Sequence, residues 1–114
     1  MVIPEQIIDG VTVFSPKGKL LSTVDYEEFR NRIHKLKVPP IRGVVFDMSG
    51  VNFINSSGVS MLIAGLKILR EADRDLRLAG MSPIAQKVIV KVCGLGEVFE
   101  IYDSVGQAVA SFEA

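Results

Sequence analysis

At 114 residues the chain has room for one hydrophobic core and no second. Hydrophobic residues make up 48% and charged residues 23%, too apolar for a disordered chain and ordinary for a globular one. Thirteen basic residues face thirteen acidic ones, and a net charge of zero argues against nucleic acid as a partner and against polybasic attachment to a membrane. The single Cys93 excludes an intrachain disulfide, and no Cys/His cluster has metal-ligand spacing. The opening MVIPEQIIDG lacks the pattern of a secretion signal, and the apolar run Met61 to Leu66 stops at Lys67, short of the roughly 20 residues that cross a bilayer. The expectation is one cytoplasmic domain over 1–114, with no metal, no cofactor and no direct membrane insertion.

In chain order, Val2 to Ile8 reads as a strand weakened by Pro4, which suits a sheet edge. Asp9-Gly10 is a hairpin turn signal and Val11 to Phe14 the returning strand. Ser22 or Thr23 caps a helix that places Tyr26, Phe29, Ile33 and Leu36 on one face, ended by Pro39-Pro40. Gly43 to Met48, with consecutive Val44, Val45 and Phe46, suits a central strand covered on both faces. A second helix runs from about Ser57 to Ala72. Leu76 and Leu78 mark another strand, and Ser82-Pro83 opens a helix whose core face is Ala85, Val88, Ile89 and Val92, stopped by Gly94. Phe99 and Ile101 alternate in a last strand, and Ser104 with Gln107 reads as a capping box for a closing helix burying Val105, Ala108, Val109 and Phe112. The order β-β-α-β-α-β-α-β-α predicts an α/β fold: a single mostly parallel sheet with an antiparallel edge hairpin, covered by about four helices.

The stretch DMSGVNFINSSGVSML, Asp47 to Leu62, carries the most information. It holds a strand end, a loop with a second apolar touch at Val51, Phe53 and Ile54, and a helix start at Asn55-Ser56-Ser57-Gly58, where Asn and Ser are favoured caps. Val59, Leu62, Ile63, Leu66 and Leu69 form an inward stripe on that helix. Ser57, Met61, Ala64 and Ile68 form a second stripe on roughly the opposite side, and it needs cover of its own: another helix of the chain, a dimer mate or a docked partner.

In element order, length and the pattern DMSGVNFINSSGV, the whole chain resembles a STAS domain, and most closely the bacterial anti-sigma-factor antagonists. The resemblance implies a non-enzymatic regulator. Its partner would be an anti-sigma factor that is also a serine-protein kinase, its phosphate acceptor Ser56, and a serine phosphatase would reset it. Unphosphorylated antagonist would bind the anti-sigma factor and free sigma; phosphorylated antagonist would let go. Asn55, Ser56, Ser57, Gly58, Met61, Ala64 and Ile68 are the expected partner-binding residues, with Met61 and Ile68 exposed in the isolated chain, itself a monomer or weak homodimer. Two positions depart from the family: Asn55 and Leu21 stand where it commonly has Asp. Their absence favours an alternative, a non-phosphorylated docking subunit of a lipid-transport ABC complex or a signalling scaffold.

Little else suggests chemistry. Ser60 lacks the final Gly of a nucleophile elbow, and Gly94-Leu95-Gly96 is no phosphate loop. His34 reads as solvated, Asp47 as the acceptor of a loop-organising hydrogen bond and Cys93 as a small buried hydrophobe. Arg70, Arg74 and Arg77 with Glu71, Asp73 and Asp75 read as a solvated mixed-charge end.

Overall fold

A computed structural model of the chain describes residues 3–20 and 26–112. Strands β1 (Glu5–Ile8) and β2 (Val11–Phe14) form the expected hairpin. Its two-residue turn puts Asp9 and Gly10 at φ of 51° and 80°, the left-handed pair that matches the twist of the flanking strands. β3 (Gly18–Leu20) and α1 (Tyr26–Lys35) follow; the predicted caps Ser22 and Thr23, with Leu21, lie outside the described residues. Then come β4 (Gly43–Asp47), β5 (Val51–Ile54), α2 (Ser56–Glu71) and β6 (Leu76–Ala79). α3 (Pro83–Ala85) runs on as a π-helix over Gln86–Val92, and β7 (Ile101–Tyr102) and α4 (Val105–Ala110) close the chain.

The main sheet has the order β1-β2-β4-β6-β7, antiparallel at β1–β2 and parallel elsewhere. β4 lies at its centre with Val44, Val45 and Phe46 fully buried, as an unbroken apolar run requires. Period-2 alternation divides the core. Phe14, Val44, Phe46, Leu76 and Leu78 point to one face and pack with α1, α2 and the Ala85–Ile89 segment. Val11, Val13, Val45 and Ala79 point to the other and are covered by Ala108, Val109 and Phe112. Phe46 anchors the larger layer. Its ring centroid lies 5.2 Å from that of Phe14 and 5.9 Å from that of Phe29, the second contact edge-on.

The apolar touch at 51–54 is more than a loop. It is strand β5, which pairs in parallel with β3 as a separate two-stranded sheet. Two expectations about the third helix change with its winding. Val92 is 69% exposed, while Val90 takes a partly buried place on the core. The π-turn is the reason: the Cys93 N–H reaches back five residues to the Val88 carbonyl, so the inward positions shift from α-helical spacing. Cys93, at the end of that turn, is exposed rather than a buried hydrophobe.

The mixed-charge end is not simply solvated either. Arg77 stands on β6 at 16% exposure, its Nε 3.0 Å from Asp75 Oδ2 and its Nη2 3.3 Å from Glu100 Oε2. It also donates to the Ser111 carbonyl at 2.8 Å and lies 4.1 Å from the centroid of the Phe112 ring. These contacts tie the segment after α4 to the sheet. Asp47 matches its reading, its Oδ1 accepting the Ser49 N–H at 3.1 Å. His34 is exposed, as expected.

Thr12, between Val11 and Val13 on β2, is fully buried, and among the described residues its hydroxyl has no hydrogen-bond partner. Because an unpaired buried hydroxyl forfeits its hydration without return, Thr12→Val should stabilise the fold by about 1 kcal/mol. A urea titration should show a higher midpoint at unchanged slope. A lower midpoint would mean the hydroxyl is satisfied.

Candidate functional site

The start of α2 is built by its cap. Asn55 has an extended backbone (φ −111°, ψ 177°), and its Oδ1 accepts the Gly58 N–H at 2.8 Å. Its carbonyl takes the Val59 N–H at 3.0 Å and starts the helix. Asn at this position satisfies one of the four N–H groups that a helix leaves unpaired, without adding charge. β5 delivers the chain to this point and is fixed from beneath, since the Ser82 hydroxyl donates to the Val51 carbonyl at 2.7 Å and caps α3 through Ala85. Val51 and Ile54 are buried, so the strand cannot slide.

Ser56, the first residue of α2, is exposed. The condition for any modification of its hydroxyl is thereby met. Ser57 and Ser60 are also exposed, so accessibility alone does not single out Ser56. Asn55 is half-buried beside it, Gly58 is buried and Ala64 is half-buried.

Met61 and Ile68 contradict the expected exposure. They are 1% and 9% exposed and belong to the large core with Ala85, Ile89 and Phe99. The two stripes are the two flanks of one wide buried face, and what joins them is glycine. At 3.6 residues per turn, Gly58 and Gly65 fall between the stripes, and the buried residues cover about 180° of the helix. Gly65 sits at the middle of that arc. A Cβ there would approach Leu76 Cδ1 to 3.1 Å and Phe29 Cζ to 3.3 Å, so the helix backbone itself rests against β6 and α1. A helix seated that deeply buries both shoulders.

The outward side of α2 is therefore Ser56, Ser57, Ser60, Lys67, Arg70 and Glu71. Sequence reasoning missed one neighbour. Phe53, three residues before Ser56, is 46% exposed although it lies between the buried positions of β5. Strict alternation would put Phe53 on the same face as Val51, but the ladder to β3 shifts register here, with Gly18 opposite Val51 and Lys19 opposite Phe53, and the extra residue Asn52 turns Phe53 outward.

A family model of the STAS domain matches residues 3–108. A comparison with curated proteins finds no match. Among solved structures, the chain is similar to the anti-sigma factor antagonist SpoIIAA in its unphosphorylated form, at 19% identity and a TM-score of 0.79, over 96% of this chain and 95% of that one. The phosphorylated form of SpoIIAA matches at 18% identity and a TM-score of 0.73, over 98% and 100% of the two chains. An anti-sigma-factor antagonist (STAS) domain protein of Planctomyces limnophilus matches at 24% identity and a TM-score of 0.76, over 97% of each chain. A sulfate transporter family protein of Wolinella succinogenes matches at 17% identity and a TM-score of 0.68, over 98% of this chain and 88% of that one. At these identities the likeness establishes a shared fold.

Two substitutions separate cap from core. Met61→Asp buries a carboxylate where no partner awaits it, so it should cost several kcal/mol and unfold much of the protein. Asn55→Ala removes only the cap and should cost about 1 kcal/mol. Thermal melts followed by circular dichroism distinguish them; a folded Met61→Asp protein with wild-type melting would restore Met61 to the surface.

Proposed function

The chain belongs to the STAS domain family, and from that premise we propose that it is a cytoplasmic anti-sigma-factor antagonist, a binding protein rather than an enzyme, switched by phosphorylation of Ser56. The observation that carries this reading is the exposed Ser56 at the first position of α2, directly after the Asn55 cap. Among the described residues no helix is long and apolar enough to cross a membrane, which is compatible with a cytoplasmic role.

The chemistry suits a reversible switch. The unmodified start of α2 is uncharged, and its polar and small side chains can be desolvated against a partner at low cost. A phosphate on Ser56 would bring about −1.5 to −2 charges to that contact. The first-turn N–H groups and the helix dipole would stabilise the anion by on the order of 0.3–2 kcal/mol, so the fold tolerates what the interface does not. The partner is then an anti-sigma factor with serine-kinase activity, opposed by a serine phosphatase.

A second reading has its own support. Asn55 supplies no carboxylate to a kinase's metal or basic group, and the same fold occurs in a sulfate transporter family protein. This reading makes the chain a fixed docking subunit of a transport complex or scaffold. On the first reading, phosphorylation is slow and Asn55→Asp accelerates it. Incubating wild type, Ser56→Ala and Asn55→Asp with each kinase-type anti-sigma factor of the source genome and ATP, followed by intact mass and peptide mapping, tests this. Phosphate on wild type and Asn55→Asp but not on Ser56→Ala is the expected result. Phosphate on Ser56→Ala would refute the site, and phosphate on none of the three would leave the fixed subunit.

A further inference from the structure

The geometry points to an aromatic anchor with a cationic rim beside Ser56, and we propose that it docks on an acidic partner surface surrounding an apolar pocket. The inference rests on the antagonist reading and adds to it the chemistry of the partner. Phe53 is 46% exposed, while Val51 and Ile54 on the same strand are 2% and 3% exposed. A large aromatic left in water on a strand whose neighbours hold it rigid has the character of an interface anchor: much apolar area and little entropy left to lose on docking.

Charge gives the partner its sign. Phe53 pairs across the ladder with Lys19, which is exposed, and Lys17 is exposed two residues earlier, beside Gly50. From Met48 to Leu66 no side chain is charged, and residues 15–20 carry only Lys17 and Lys19. Strands β3 and β5 and the first turns of α2 therefore present two positive charges and no negative one, on a chain whose total charge is zero. Of the other exposed apolar residues, Val38 also has cationic neighbours in Lys35, Lys37 and Arg42, but it is aliphatic and precedes Pro39–Arg42, which line a recess with Asp73 and Arg74 beyond the end of α2 opposite Ser56. Ile7 lies near the Arg32–Glu5 ion pair, and Val92 and Val98 flank a segment holding Glu97, with Lys91 just before it.

The same field explains how one phosphate would suffice. Two lysines give the patch about +2, and a phosphoserine adds about −1.5 to −2, so modification cancels the charge that an acidic partner recognises. Release then follows from lost complementarity as well as from the cost of desolvating the phosphate.

The test measures binding of the kinase-type anti-sigma factors of the source genome to wild type, Phe53→Ser, Phe53→Leu and the double variant Lys17→Glu/Lys19→Glu, at low and high sodium chloride. Phe53→Ser should weaken binding at least about tenfold while Phe53→Leu retains most of it. The lysine variant should slow association on the order of tenfold at low salt, with the difference shrinking at high salt. Circular dichroism melts check folding; should Phe53→Ser melt early, the exposed lysine pair still decides the sign of the partner. Wild-type affinity in a folded Phe53→Ser protein, or unchanged or faster association of the lysine variant at low salt, overturns the inference. Absence of binding by wild type overturns the antagonist reading itself, before any variant is compared.

Discussion

The contact of Gly65 with Leu76 and Phe29 sets the rest of the molecule. A glycine at the centre of the buried arc lets the α2 backbone approach the sheet more closely than any side chain would allow. Once the helix sits at that depth, Leu62, Leu66 and Leu69 fill one shoulder and Met61 and Ile68 the other. What remains outside is the polar side of the helix, and Ser56 stands at its head. The exposed serine and the hidden methionine share one cause.

The approach to that serine is rigid for a related reason. A two-stranded parallel sheet is weak by itself. β5 gains support from its buried Val51 and Ile54 and from the Ser82 hydroxyl, which holds the Val51 carbonyl while capping α3. Asn55 then starts α2 without a turn to spare. A charge placed on Ser56 thus meets a fixed backbone.

The far side of the sheet shows how polar groups substitute for missing apolar cover. α4 is only six residues long and offers Ala108 and Val109 to the core. Phe112 and the Arg77 network extend that cover, with Arg77 joining Asp75, Glu100, Ser111 and the Phe112 ring. Half-buried ion pairs with this many hydrogen bonds hold geometry more than they add stability. Thr12, buried without a hydrogen-bond partner among the described residues, is the opposite case, a polar group that the packing tolerates.

The amino-acid sequence by itself determined the hairpin, the central strand, the four helices and the caps at Ser82 and Ser104, because each rests on local rules of turn chemistry, period and capping; it did not show the short strands β3 and β5, and it left the cap of α2 open within Asn55-Ser56-Ser57. It also placed Ser56 at a helix start, where the Asn-Ser-Ser-Gly pattern is a local signal. The tertiary structure alone decided which side of α2 faces out. Met61 and Ile68 look external when glycines are counted as blanks, and become internal because a glycine is where two elements can touch most closely. Val92 and Cys93 turned outward because a π-turn changed the period on which their burial was judged. Phe53 turned outward because the ladder between β5 and β3 shifts register at Asn52, and a bulge set by a strand partner far away in sequence leaves no trace in local periodicity.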